Sequence, residues 1–269
     1  MSMVTAEALP SATAFPAWLA RVADLTRESW DRLIDNRLRL IRIPGFASDT
    51  ECEALVREAE QIGFELYREV SPPIARIGVT LFEHDGIGHE DYFVSAQKAR
   101  EIQRRIFARS FDPIERLISM IQSRTGYPTG VALDSQHGPY FAGTVRRIES
   151  GTRLHIDYAP AEHPSWEVAQ VCAQLAWNVY LELPESGGNT HIYERQWVPA
   201  DDGHKETDSY GYDSAVVAGS ECVTFKPTQG DLYLFNSRNY HLVDASVGHR
   251  TTVNSAVGQT RDNKVVLWS

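Results

Sequence analysis

Residues 230–252 read GDLYLFNSRNYHLVDASVGHRTT, and this stretch decides the fold. Two short apolar runs, 230–236 and 240–245, are separated by a polar turn, and Gly230 and Gly248 bound the segment. Short runs between turn signals are typical of antiparallel strands and hairpins. The chain keeps this pattern from residue 139 onward, which indicates a stranded second half.

Eight short strands are predicted in that half of the chain. A series of this kind is typical of a double-sheet jelly roll, also called a double-stranded β-helix. Because helices precede the strands, the predicted class is α+β with a mainly β core. The predicted strands cover residues 139–148, 153–159, 171–183, 189–197, 221–226, 230–236, 240–245 and 250–258.

The part of the chain before residue 139 has mainly helical patterns. Apolar side chains recur at helical spacing over 15–35, and Ser48 can cap a helix that runs to about Ile62. A further helical stretch over 95–125 should break near Pro113. We expect these N-terminal helices to pack on the outer face of one sheet.

A single domain over 1–269 is predicted, with a helical front half over 1–138 and a jelly-roll core over 139–258. Segment 200–220 is polar and rich in Gly and Ser, and it lies between predicted strands. We therefore expect a surface loop there, and a candidate lid over a cavity mouth.

The composition restricts the classes of partner. The 269 residues include 26 Lys and Arg against 36 Asp and Glu, a net charge of −10, which argues against nucleic acid or an anionic membrane as a partner. No apolar run is long enough to span a membrane, and the N-terminus lacks a secretory pattern. Cys52, Cys172 and Cys222 are too widely spaced for a disulfide framework or a cysteine zinc site. We therefore expect a cytoplasmic protein.

A candidate metal site begins in the segment RLHIDYAP, residues 153–160. His155 and Asp157 are two residues apart, so on a strand both side chains point to the same face. His241 lies on a later predicted strand and could supply a third ligand. Two imidazoles and one carboxylate are the facial triad of non-haem Fe(II) oxygenases, which leaves coordination positions open. Zinc accepts the same ligands, and a histidine that only packs in the core is the alternative for His155.

Arg250 follows His241 by nine residues, and a turn through Gly248 brings the chain back beside the His241 strand. The guanidinium can then reach the same cavity, where it suits a bidentate pair with a carboxylate. A buried arginine needs an anionic partner, which is either a structural Asp or Glu or an acidic ligand. Thr252, two residues along on the same face, could donate a hydroxyl to that ligand.

Together these motifs resemble the Fe(II)/2-oxoglutarate-dependent dioxygenase superfamily. The resemblance covers roughly residues 139–258 and includes the turn and strand GGNTHIY at 187–193 and the run PTQGDLYLF at 227–235. Within the superfamily, TVRRIESGTRLHIDYAP and QLAWNVYLELP are similar to enzymes that hydroxylate amino acids and N-acyl amino acids, and to related aliphatic halogenases. Those halogenases have Gly or Ala in place of the carboxylate ligand. This chain has Asp157, so the resemblance implies hydroxylation.

The resemblance also implies roles for individual residues. His155, Asp157 and His241 would bind Fe(II), 2-oxoglutarate would chelate the metal, and Arg250 would pair with its distal carboxylate. O2 is the further cosubstrate. Candidates for additional hydrogen bonds to 2-oxoglutarate are Thr190, Thr252, Asn178 and Tyr140.

The substrate side has weaker signals. Arg76 could hold a substrate carboxylate, and of the neighbours Arg146 and Arg147 one must point inward and one outward, an alternative that the sequence leaves open. Phe141, Trp166, Trp177 and Trp268 could form an apolar wall of the pocket, with packing in the core as the alternative for each.

The expected function is hydroxylation of an unactivated C–H bond in a small molecule, such as an amino acid, an amino-acid derivative or a natural-product intermediate, with succinate and CO2 as co-products. Desaturation or cyclisation at the same centre, and a non-catalytic jelly-roll binding protein, are the alternatives. A small-molecule substrate is the expected partner, with neither nucleic acid nor membrane, and a homodimer is left open.

Overall fold

The computed structural model describes residues 20–86 and 88–269. The first part of the helix predicted over 15–35 lies outside them. Within the described residues that prediction is wrong over Ala20–Ala23, which form a strand. The helix begins only after Thr26, because the Thr26 hydroxyl accepts a hydrogen bond from the Ser29 amide and the Ser29 hydroxyl accepts one from the Thr26 amide.

The helices begin at the predicted signals. Ser48 caps the second helix through a reciprocal pair of hydrogen bonds with Glu51, and Asp112 caps the fourth, whose first residue is Pro113. The predicted break near Pro113 is confirmed, since Pro113 starts a separate helix. The helices are α1 (Arg27–Ile34), α2 (Asp49–Ile62), α3 (His89–Phe107), α4 (Pro113–Thr125) and α5 (Ala159–Glu162).

The strands are mostly short and lie mainly in the second half of the chain. They are β1 (Ala20–Ala23), β2 (Leu38–Ile43), β3 (Glu65–Leu66), β4 (Ile74–Ile77), β5 (Thr129–Val131), β6 (Leu133–Asp134), β7 (Gly138–Pro139), β8 (Thr144–Ile148), β9 (Ala173–Glu182), β10 (Ser186–Gly187), β11 (Thr190–Gln196), β12 (Cys222–Phe225), β13 (Leu232–Asn236), β14 (Asn239–Val243), β15 (Ser246–Val247), β16 (Thr251–Gln259) and β17 (Val265–Trp268).

Two sheets form the jelly-roll core, so the predicted α+β class with a mainly β core is confirmed. The larger sheet has the order β1-β2-β13-β9-β16-β8-β4-β3, and β17 pairs with β16 and β5. The smaller sheet has the order β12-β11-β14. Strand β9 divides its side chains between two environments, because alternate residues of a strand point to opposite faces. Trp177 and Val179 pack with residues of the helices, whereas Tyr180 packs with Ile192 of the smaller sheet.

The strand predicted over 153–159 does not form. Only His155 pairs there, in a single antiparallel bridge with His241 of β14. The chain then turns into α5, whose second residue is Pro160. Proline lacks an amide donor and cannot continue a strand ladder, so the pairing stops early.

Segment 200–220 contains two short 3-10 helices, Pro199–His204 and Ser214–Val217. Its residues Tyr212, Val216 and Val217 are buried together with Leu154, beside the first metal-ligand candidate. The segment is therefore packed against the stretch of chain that carries His155. Among residues 20–86 and 88–269, no helix has both the length and the apolar character needed to cross a membrane.

Candidate metal centre

His155, Asp157 and His241 converge on one point. Their ligand atoms all lie within 4.8 Å of one another. The Nε2 atom of His241 is 3.4 Å from Oδ2 of Asp157, and Nε2 of His155 is 4.0 Å from the same oxygen. Two imidazoles and one carboxylate on one side of a shared point are the donor set of a non-haem Fe(II) site.

Backbone hydrogen bonds hold the three ligands in register. His155 and His241 exchange both main-chain bonds of their bridge, at 3.0 and 2.9 Å. The Asp157 amide donates to the Ser237 carbonyl at 2.9 Å, and the Ser237 hydroxyl donates to the Asp157 carbonyl at 2.7 Å. Ser237 lies in the turn between β13 and β14, so this hairpin positions Asp157 as well as His241.

Each imidazole is oriented by a carbonyl group. Nδ1 of His155 lies 2.8 Å from the Arg153 carbonyl, and Nδ1 of His241 lies 2.9 Å from the Asn239 carbonyl. Because a carbonyl can only accept, Nδ1 of each ring carries the proton in these hydrogen bonds. Nε2 then presents its lone pair toward the shared point, as metal ligation requires.

The charges of the site also suit a divalent cation. Burial, together with the neighbouring His241, lowers the pKa of His155 to about 4, so His155 is neutral at pH 7. Burial acts to raise the pKa of Asp157, but the neighbouring His241, His155 and Arg146 hold that pKa well below its usual range. Asp157 is therefore ionised, and the residues present fit Fe(II).

Arg250 directly precedes β16 and is only 2% exposed. Its Nη2 donates to the Tyr180 hydroxyl at 3.1 Å and to the Thr190 hydroxyl at 3.4 Å, and the guanidinium lies over the Tyr180 ring. Its Nε has no hydrogen-bond partner in the part of the chain that the structure describes. No carboxylate among the described residues lies within 4.0 Å of it, so a buried positive charge is left for an anionic ligand.

One cavity contains the triad and Arg250. Of the candidates for 2-oxoglutarate, it includes Thr190, which contacts Arg250, and Asn178, which accepts a hydrogen bond from Asn254 at 3.3 Å. Thr252 is buried but does not line the cavity. Tyr140 also lies elsewhere, and its hydroxyl is 3.4 Å from a carboxylate oxygen of Asp134.

Of the candidate substrate residues, Arg146, Trp177 and Trp268 line the cavity. The Nε of Arg146 donates to the Tyr67 hydroxyl at 2.9 Å. Arg147 points to the opposite face and pairs with Glu60, which resolves the alternative that the sequence leaves open.

The other three candidates are engaged away from the cavity. Arg76 forms ion pairs with Glu83 at 2.7 Å and Glu65 at 3.0 Å. Phe141 and Trp166 belong to a separate apolar cluster, because the segment that carries Phe141 packs against α3. These three residues therefore do not contribute to the cavity wall.

Sequence reasoning missed several cavity residues. Tyr180 lies two positions after Asn178 on the same predicted strand, so alternation was a signal that could have identified it. Ser237 and Glu162 line the cavity through a turn and a four-residue helix, for which the sequence has no comparable signal. Tyr210, from the candidate lid, places its ring edge-on to His155 with the ring centroids 5.5 Å apart.

Comparison with known proteins gives a consistent result. A model of the family described as carrier-protein-independent halogenase WelO5 matches residues 19–269. The L-gamma-glutamyl-L-propargylglycine hydroxylase of Streptantibioticus cattleyicolor is 31% identical over 267 residues, which cover 95% of this chain and 96% of that protein. Leucinostatins biosynthesis cluster protein S of Purpureocillium lilacinum is 34% identical over 215 residues, which cover 75% of this chain and 88% of that protein.

Among solved structures, an N-substituted L-amino acid dioxygenase from Burkholderia ambifaria, in complex with alpha-KG, has a similar fold. The TM-score is 0.61 at 15% sequence identity, and the match covers 90% of each chain.

Proposed function

This chain belongs to the family of the carrier-protein-independent halogenase WelO5, and from that premise we propose that it is an Fe(II)- and 2-oxoglutarate-dependent hydroxylase of a small molecule. The proposed substrate class is an amino acid or an amino-acid derivative. One relative supports this substrate class, because it is a hydroxylase of a γ-glutamyl amino acid. The cytoplasm is the compartment we expect.

The observation that carries the proposal is the charge of Arg250, which lies in the cavity that contains the triad and has no carboxylate within 4.0 Å in the described part of the chain. A dicarboxylate that chelates a metal at one end presents its other carboxylate to such a group. Arg250, Tyr180 and Thr190 offer it a guanidinium and two hydroxyl groups. With the metal, 2-oxoglutarate and O2 bound, the centre supplies oxidation of an unactivated C–H bond.

Asp157 favours hydroxylation over halogenation. The halogenases that this sequence resembles have no carboxylate at the equivalent position, which leaves a coordination position for a halide. Here Asp157 is ionised and held at both its amide and its carbonyl by Ser237. Its carboxylate therefore occupies the position that a halide would need.

The remaining cavity residues bind and orient the substrate. Arg146 has no carboxylate partner within 4.0 Å among the described residues, so it is free to pair with the carboxylate of an amino acid. The Tyr67 hydroxyl fixes the guanidinium of Arg146 from behind. Apolar side chains such as Leu81 and Trp268 complete the lining and exclude water from the reacting carbon.

An anaerobic titration tests the proposal. Adding 2-oxoglutarate to the Fe(II)-loaded protein should produce the visible charge-transfer band of the chelate. Succinate release from a panel of amino acids and derivatives, with a product heavier by one oxygen atom, should follow in air. The absence of the band in the iron-loaded protein would refute the proposal, and a product lighter by two hydrogen atoms would indicate desaturation.

A further inference from the structure

Glu162 is a carboxylate of the cavity that the proposed chemistry does not use. It ends α5, five residues after Asp157, and it lines the same cavity. Its Oε2 accepts a hydrogen bond from the Tyr158 amide at 2.8 Å. Within the described part of the chain, no Lys, Arg or His nitrogen lies within 4.0 Å of it, and its Oε1 has no hydrogen-bond partner.

A purely structural role accounts for only one of the two carboxylate oxygens of Glu162. One oxygen closes the short turn of α5 through the Tyr158 amide, and a glutamine would do the same. The negative charge has no function in that contact and is costly in a cavity. Burial, with the nearby Asp157 adding to it, raises the pKa of Glu162 to about 7. A cationic ligand would remove this cost.

The charges of the loaded site point to the same ligand. The divalent metal and Arg250 balance Asp157 and the dianionic cosubstrate. His163, which also lines the cavity, already pairs with Asp85 at 2.8 Å. Among the described residues, Arg146 and Glu162 are then the charged side chains of the lining that have no partner of opposite charge within 4.0 Å, and their own charges have opposite signs.

We infer that Glu162 binds a protonated amino group of the substrate while Arg146 binds its carboxylate, so that the site takes a zwitterion. This inference rests on the proposed function and narrows its substrate class. A free amino acid or a γ-glutamyl amino acid has both charges. An N-acyl amino acid has an uncharged amide in place of the ammonium group and leaves Glu162 unpaired.

The test compares the wild type with Glu162→Gln, which keeps an oxygen for the Tyr158 amide and removes the charge. The matched control is Glu101→Gln, because Glu101 is an exposed residue of α3 away from the cavity. The probes are aliphatic L-amino acids, their γ-L-glutamyl dipeptides and their N-acetyl derivatives. Binding to the anaerobic protein loaded with Fe(II) and 2-oxoglutarate is measured by calorimetry.

We expect the wild type to bind amine probes more tightly than their N-acetyl counterparts. Glu162→Gln should weaken amine binding at least about tenfold, because a charge-assisted hydrogen bond is lost. The same variant should change N-acetyl binding and 2-oxoglutarate binding by less than about threefold, and Glu101→Gln should change none of them.

Three outcomes would overturn the inference: the wild type binds no amine probe, it prefers the N-acetyl derivatives, or Glu162→Gln weakens both classes equally. In each case the charge-transfer band with 2-oxoglutarate still reports on the proposed function. If the band is present and the amine probes do not bind, only the inference that the substrate is a zwitterion is refuted. If the band itself is absent, the proposed function fails as well.

Discussion

Replacing Arg250 by Met is the sharpest perturbation of the site, because it separates a ligand-binding arginine from a structural one. Met has a similar length and no charge. Arg250 is 2% exposed, and its polar contacts among the described residues are with the neutral hydroxyl groups of Tyr180 and Thr190. The variant therefore removes a buried charge that has no anionic partner within 4.0 Å among residues 20–86 and 88–269.

The structure sets the expected size of two effects. Removing one partner of a buried, hydrogen-bonded charge pair costs about 2–5 kcal/mol, so the Kd for 2-oxoglutarate should rise about 30- to 4,000-fold. The free protein should not be destabilised in the same way. It loses hydrogen bonds of roughly 1 kcal/mol each, but it no longer buries an unpaired guanidinium, which costs several kcal/mol.

The assays are the anaerobic band titration for 2-oxoglutarate and denaturant unfolding of the metal-free protein. Arg147→Met is the matched control, because Arg147 lies on the opposite face and pairs with Glu60 and Glu182. It should leave the Kd for 2-oxoglutarate unchanged. If Arg250→Met instead lowers the free energy of unfolding by about 3–5 kcal/mol and leaves the Kd unchanged, Arg250 is a structural residue and the reasoning is refuted.

Three further predictions concern other parts of the molecule. Asp157→Ala should abolish hydroxylation while the melting temperature of the metal-free protein changes little, and full turnover in this variant, measured as succinate release, would rule out Asp157 as a metal ligand. Glu162 has a folded pKa of about 7 against an ordinary value of 4.5, so the stability it contributes is present below its unfolded pKa and is lost as the pH rises through 7. Since Asp157, His163 and Lys205 also influence that pKa, we expect metal-free Glu162→Gln to be about 1–3 kcal/mol more stable than the wild type near pH 8 and equal to it near pH 4; equal stability at both pH values would contradict this. Gly230→Ala should lower the free energy of unfolding by at least about 1 kcal/mol, because Gly230 has φ +77° and a Cβ there would lie 2.2 Å from the Ala47 carbonyl oxygen; an unchanged denaturation midpoint would show that this turn can relax.

The sequence was sufficient for features that depend on local spacing. The alternation of strands and turns predicted the jelly roll, and Ser48 and Pro113 marked the beginnings of two helices. The two-residue spacing of His155 and Asp157 predicted that their side chains meet, and the structure brings them together with His241, although the strand expected there is reduced to the single bridge at His155. Each of these signals arises from a backbone period or from a hydrogen bond within a few residues. A short stretch of the sequence is therefore enough to detect it.

Contacts between distant segments were decided by the tertiary structure. Whether Arg146 or Arg147 points inward depends on which face of β8 the helices cover, and Phe141 and Trp166 leave the cavity because they pack with α3. Glu162 enters the cavity because the chain turns sharply after Asp157. Hydrogen bonds between Asp157 and Ser237, which lies 80 positions further along the chain, hold Asp157 in place before this turn. A sequence records the residue types but not which segments pack together, and here that packing sets the partners of each charge.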